Sequence, residues 1–274
     1  MQTLASFSSS LMGNANQGKM PVIFAGHGSP MNAIESNEFS KGWQTMVKGL
    51  PEPTAILCIS AHWETRGTYV TAMDQPRTIH DFYGFPQALF DLQYPAPGSH
   101  TLASDTITAV EQISIEKDLS WGLDHGCWSI LQHMYPKANI PVVQLSLNQL
   151  QDPLWHYQIA QELSVLRNKG VLIIGSGNMV HNLGVMNWKT PEAGYDWAKE
   201  ANEILKTLIV QHDHSSLAKY KDLGAEVRQS IPTPEHYLPL LYTLGLKTED
   251  EKVQFFNDKT IFGSISMTSL LIGN

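Results

Sequence analysis

DPLWHYQIAQELSVLRNKGVLIIG, residues 152–175, is the stretch whose reading decides the fold. Asp152 is suited to cap a helix and Pro153 to occupy its first position. A helical pattern then runs from Leu154 to Asn168 until Gly170 closes it. Val171 to Gly175 is a short, unbroken apolar run bounded by glycines, the pattern of a strand buried on both faces. The same alternation extends outward in both directions. Strand-like runs are Pro21 to Ala25, Ala55 to Ser60, Tyr69 to Met73 and Pro141 to Leu147. Helical patterns are Phe39 to Leu50, Leu102 to Ile113, Trp128 to Met134, Glu192 to Ile209 and Glu235 to Leu244. Strands alternating with longer helices predict an α/β fold, a single domain with a central, largely parallel or mixed sheet flanked by helices.

The chain has 274 residues, 42% hydrophobic and 16% charged, which is enough apolar material for a sizeable core. A formal net charge of -8 and the lack of any Lys/Arg block argue against a grip on nucleic acid or an anionic membrane. A small-molecule partner is expected instead. With two cysteines only, Cys58 in an apolar run and Cys127 beside Trp128, a disulfide framework or a cysteine-rich zinc knuckle is excluded on count. No stretch approaches the roughly 20 apolar residues needed to span a bilayer, and a cytoplasmic location is expected. Residues 1–19, rich in Ser, Asn and Gly, are expected to be a disordered extension, leaving 20–274 as the folded domain.

The segment from Asp74 to Ser99 is rich in Pro, Gly and aromatic residues and has no sustained period. Its length and aromatic content mark it as part of a binding site. The eleven histidines matter more for their positions than for their number. His27 ends the run Val22-Ile23-Phe24-Ala25-Gly26, His62 ends Ile56 to Ala61, and His181 lies beyond Ile173-Ile174-Gly175-Ser176-Gly177-Asn178. Ligands of open α/β sheets bind outside the carboxyl ends of the strands, so these imidazoles are placed to converge. Gly26, Gly28, Ala61, Gly175 and Gly177 beside them are expected to let backbone and ligand come close. His236 follows Pro232-Thr233-Pro234-Glu235, where Thr233 can cap and Pro234 start the next helix. His125 sits between tryptophans in Trp121-Gly122-Leu123-Asp124-His125-Gly126-Cys127-Trp128.

A lone loop histidine is more often a hydrogen-bonded structural residue than a ligand. Three at strand ends are different, because His is a poor strand former and costs free energy to desolvate unless paired. A shared metal is the economical explanation. Other chemistries fail on spacing. The turns after the first and last of these strands complete neither a dinucleotide fingerprint nor a P-loop. Gly175-Ser176-Gly177 is not a Gly-x-Ser-x-Gly nucleophile elbow.

With those residues in hand, the sequence resembles the DOPA 4,5-dioxygenase family, within the class III extradiol ring-cleaving dioxygenases. The resemblance runs from about Met20 to the C-terminus. It rests on Gly26-His27-Gly28-Ser29-Pro30-Met31, Ser60-Ala61-His62-Trp63, Thr78-Ile79-His80-Asp81-Phe82, Asp124-His125-Gly126, Gly177-Asn178-Met179-Val180-His181-Asn182 and Pro234-Glu235-His236-Tyr237-Leu238-Pro239. It implies one divalent metal ion per chain on His27, His62 and His236. It also implies His181 as acid/base histidine near enough to be a fourth ligand, and His125 facing the catechol; His80, in the aromatic loop, is expected to bind the substrate with it. Related enzymes complete two histidines and a carboxylate on Fe(II), whereas the matching place here offers Glu235 or His236. The resemblance favours His236. Fe(II) is implied for catalysis, and Zn(II) is expected to compete for the imidazoles in isolated protein. The implied substrates are O2 and a catechol, L-DOPA or another 3,4-dihydroxyphenyl compound. A zinc-dependent hydrolase and a non-catalytic binding protein are the alternatives on the same residues.

Overall fold

The computed structural model describes residues 19–273. The expectation for the N-terminal extension therefore lies outside the described residues, apart from Lys19. The chain order is β1 (Val22–Gly26), α1 (Glu38–Val47), β2 (Ala55–Thr65), β3 (Thr68–Thr71), α2 (Gln87–Phe90), α3 (His100–Ala109) and β4 (Ile115–Asp118). It continues with α4 (His125–Met134), β5 (Val142–Asn148), α5 (Pro153–Glu162), β6 (Val171–Gly177), α6 (Asp196–Val210), α7 (His214–Ala218), α8 (Ala225–Ser230) and α9 (Leu238–Gly245). The C-terminal part is β7 (Lys252–Phe256), β8 (Thr260–Ile261), β9 (Ile265–Ser266) and β10 (Ser269–Gly273).

One mixed sheet organises these elements, in the order β4-β3-β5-β2-β6-β1-β10-β7. Its centre, β5-β2-β6-β1, is parallel, while β10 and β7 add antiparallel at one edge. The unbroken apolar runs follow from burial on both faces. Val22 and Phe24 of β1 enter one core with α5, α6 and α9, whereas Ile23 and Ala25 enter the other with α1 and α4. Alternate residues point to opposite faces, so both sets must be apolar.

Register brings the carboxyl ends of the central strands together. Gly26 pairs with Gly177 across β1 and β6, and Ser60 pairs with Ser176 across β2 and β6. The β2 strand does not stop before His62 as the sequence suggested. It continues to Thr65, and its register with β5 shifts between Ile59 and Glu64, the stretch that carries His62. Such irregularities re-aim side chains.

Three further expectations are corrected. The helix after Glu235 begins at Leu238 with Pro239 in its first turn, and residues 234–237 form a preceding turn in which Tyr237 N–H donates to the Pro234 carbonyl. Thr233 and Pro234 therefore do not open it. The helix from Leu154 to Asn168 is α-helical only to Glu162 and then tightens into a 3-10 helix from Leu163 to Lys169. The expected glycine clearance at the site is taken by protein backbone: a Cβ at Gly177 would lie 2.1 Å from the His236 carbonyl oxygen, and one at Gly175 would lie 2.4 Å from that of Pro239.

Candidate metal centre and catechol cavity

His27, His62 and His236 come from the end of β1, the irregular part of β2 and the turn before α9. Their ring centroids are 5.0 to 5.4 Å apart, and one ligand atom from each lies within 4.8 Å of the others. Each is held from behind on Nδ1. Ser176 Oγ donates to the Gly126 carbonyl at 2.5 Å, so toward His27 Nδ1, 2.9 Å away, it accepts. Asp81 Oδ2 faces His62 Nδ1 at 3.4 Å, and Glu235 Oε1 faces His236 Nδ1 at 3.1 Å. The Ser176 hydroxyl and the Glu235 carboxylate accept, so the protons of His27 and His236 sit on Nδ1 and their Nε2 lone pairs are left for a ligand, and the nearby Asp81 carboxylate favours the same tautomer at His62.

This arrangement fits a metal ion. His27 Nε2 and His62 Nε2 are 3.1 Å apart, two lone pairs facing each other unless a cation lies between them. Nitrogens bound at about 2.05 Å to a tetrahedral ion are roughly 3.3 Å apart, close to what is seen. Burial, reinforced by the neighbouring imidazoles, holds the pKa of His27 and His236 well below 6.5, and that of His62 likewise. Neutral imidazoles are the form that binds metal. Glu235 sits on the Nδ1 of His236, which places the carboxylate behind the imidazole.

His181 and His125 complete the cluster. His181 lies in an isolated bridge with Ile265, and its backbone N–H donates to the Ser230 carbonyl at 2.9 Å. Its ring nitrogens make no hydrogen bond to any described residue, and burial, then His125, brings its pKa down to about 4. His125 is the first residue of α4, whose N-cap Asp124 accepts from Cys127 N–H. Its ring lies 3.8 Å from that of His62.

All five histidines line one cavity of about 750 Å³, together with Phe39, Phe85, Met186, Ile261 and Phe262. Ring-sized ligands bind in such mostly apolar spaces with a few convergent polar groups. Phe85 brings the long loop into the wall, as its composition suggested. His80 is not among the lining residues. Its Nε2 donates to the Leu92 carbonyl at 3.0 Å, and its ring packs on Phe82 and Trp128, one ring removed from His125.

Asp81 is the group that sequence reasoning missed. Oδ1 accepts from the His125 backbone N–H at 2.9 Å and Oδ2 from His125 Nδ1 at 2.8 Å. Burial opposes its ionisation, but its bonds to His125 and the electrostatic interaction with the His125 and His62 rings outweigh it and bring its pKa to about 2. The neighbouring His80 drew attention in the sequence; nothing there shows which histidines Asp81 meets.

Comparison with known proteins shows the family. The family model described as the catalytic LigB subunit of aromatic ring-opening dioxygenase matches residues 20–272. A 4,5-DOPA dioxygenase extradiol of Escherichia coli (strain K12) is 45% identical over 259 residues, spanning 93% of this chain and 95% of that protein. Another from Beta vulgaris is 36% identical over 257 residues, 90% of this chain and 94% of that protein. The crystal structure of an uncharacterized Escherichia coli K12 protein matches with a TM-score of 0.81 and 40% identity, covering 93% of this chain and 100% of that one. The hydrolase and non-enzymatic alternatives are thereby set aside. No helix of the described residues is long and apolar enough to cross a membrane. The chain belongs to the family of the catalytic LigB subunit of aromatic ring-opening dioxygenases, enzymes that cleave a catechol with O2, here of the extradiol type.

Proposed function

We propose that this dioxygenase opens the ring of L-DOPA, or of a closely similar 3,4-dihydroxyphenyl compound, by 4,5-cleavage at one Fe(II) held by His27, His62 and His236. The observation that carries the reading is the convergence of three imidazoles, one ring nitrogen of each within 4.8 Å of the others, in one cavity with two further histidines. Fe(II) bound there supplies the route by which electrons pass from the catechol to O2. Zn(II) suits the same imidazoles and holds the site without that redox route.

The chain's own groups divide the remaining work. His181 is neutral at pH 7 and untethered by hydrogen bonds, so it can take the proton of a catechol hydroxyl as negative charge builds and return it when the ring opens. With its Nδ1–H on Asp81, His125 offers Nε2 to a substrate hydroxyl and fixes the ring's orientation. Phe39, Phe85 and Phe262 provide apolar and aromatic surface for the ring and keep bulk water from its faces. Domain residues 20–274 carry the whole site.

Anaerobic protein loaded with Fe(II) and L-DOPA, then mixed with O2, should consume one O2 per catechol. It should form a seco-dopa semialdehyde that cyclises to yellow betalamic acid. Turnover of other catechols but of neither L-DOPA nor any similar 3,4-dihydroxyphenyl compound would overturn the substrate assignment. A protein that stays active without His27, His62 and His236 would overturn the ligand set.

A further inference from the structure

One carboxylate stands behind two histidines that serve different ends of the site. Asp81 comes from the loop between β3 and α2, and its side chain is 18% exposed. Its Oδ2 is 2.8 Å from His125 Nδ1 and 3.4 Å from His62 Nδ1. Glu235, by contrast, backs His236, and the hydroxyl of Ser176 backs His27. Asp81 thus faces the Nδ1 atoms of two rings with one oxygen.

An ionised carboxylate oxygen cannot donate, so the hydrogen bond fixes the proton of His125 on Nδ1, and the 3.4 Å contact favours the same tautomer at His62, which leaves the Nε2 lone pair of each neutral ring free. The other tautomer of either ring would set an Nδ1 lone pair against Oδ2, and turning the ring over would replace its N–H by a C–H. The rings are also in contact with each other, tilted by 47°. We propose that Asp81 is a positioning residue that fixes the tautomer and orientation of His62 and His125 together, so that metal retention and catechol binding are coupled through one side chain. The proposal rests on the reading of His62 as a metal ligand and His125 as the substrate-facing histidine.

The competing role is structural: Asp81 also accepts from the His125 backbone N–H at the start of α4. That role is weakened by Asp124, which already caps this helix through Cys127. Asp81→Asn separates the two. Its single oxygen can serve either the backbone N–H or the two rings, and its NH2 group opposes whichever remains.

The test uses full-length protein loaded with Zn(II), which is diamagnetic, and with Fe(II) for kinetics. Chelator competition should show that Asp81→Asn lowers metal affinity by about 10- to 100-fold, the usual effect of losing such a partner. Histidine ¹⁵N spectra should lose the Nδ1–H pattern at His62 and His125. The KM for the catechol should rise more than kcat falls, and in a His125→Ala background the KM effect of Asp81→Asn should vanish while the metal effect persists. Asp81→Glu, which keeps the charge, should recover part of both effects, and it stands in if the Asn variant does not fold. A thermal shift with unchanged metal affinity and unchanged tautomers would overturn the proposal. His62→Ala tells the two failures apart. If it loses metal while Asp81→Asn does not, the proposal falls and the ligand assignment stands; if neither loses metal, both fall.

Discussion

His181 lies flat against His236, with ring centroids 3.5 Å apart and planes 9° apart. The two rings are held differently: Glu235 accepts from the Nδ1 of His236, whereas the ring nitrogens of His181 bond to no described residue. The stack therefore sets an untethered imidazole beside a tethered one. A flat ring at position 181 should be enough for the stacking but not for the proton work. His181→Phe should keep the metal affinity and fold, yet lower kcat by about 10²- to 10⁴-fold, the range for a positioned acid/base group. Single-turnover kinetics with equilibrium metal analysis would check this, and near-normal turnover would remove His181 from proton transfer.

The imidazoles of the proposed ligand set, His27, His62 and His236, are already neutral near pH 7, because burial lowers their pKa well below 6.5. Metal binding at that pH should release almost no protons from them. Calorimetry in buffers of different ionisation enthalpy measures this directly, and release of a proton or more from the imidazoles would contradict the assigned forms. His236→Ala should abolish tight binding, while Glu235→Ala should weaken it by about 10- to 100-fold through loss of the Nδ1 partner. The reverse order would restore Glu235 as the ligand.

What the sequence revealed and what it hid have physical causes. The β1, β2 and β6 runs were legible because burial on both faces demands apolar residues at every position. The β4 and β7 strands were not, since Glu116, Lys117, Lys252 and Gln254 are exposed and leave no unbroken run. His27, His62, His125, His181 and His236 could be picked out from strand ends, neighbours and the family resemblance. The Thr233-Pro234 pair looked like a helix start because its residue types fit, yet the chain needs a turn there to carry His236 before Pro239 opens the helix. Asp81 stayed hidden because its partners are distant in sequence, and only folding selects them.

The carbonyl of His236 accepts from Asn178 N–H at 2.8 Å, so β6 and the ligand turn are in direct contact. The absence of a side chain at Gly177 permits this approach. Gly177→Ala would drive a Cβ against the His236 carbonyl and displace the ligand. Overpacking of this kind costs about 1–3 kcal/mol. Loss of stability should be accompanied by weaker metal binding, whereas His80→Ala, away from the cavity lining, should lose stability with little change in metal affinity. Denaturant melts of the metal-free variants and chelator competition on both would test the pairing.

Far from the site, the buried Arg167 guanidinium pairs with both oxygens of Glu251 and donates to the Met20 and Leu246 carbonyls at 2.6 and 2.7 Å. It ties the entry to β1 to the segment before β7. Burial raises the pKa of Glu251, but bonds from Arg167 and Thr248 outweigh it and bring it from 4.5 down to about 2. The sign follows from linkage: the unfolded chain takes up this proton near pH 4.5 and the folded one only near pH 2. The pair's contribution is therefore complete above about pH 4.5 and is lost as pH falls toward 2. Glu251→Gln leaves Arg167 buried without its counter-charge and should cost about 3–5 kcal/mol at pH 7. Urea melts of both proteins should show that deficit narrowing as the pH drops from 5 toward 3, because over that range the unfolded parent takes up a proton that its folded form does not, while the variant has no such group. A deficit that stays constant over that range would mean that the carboxylate's charge contributes nothing to the pair.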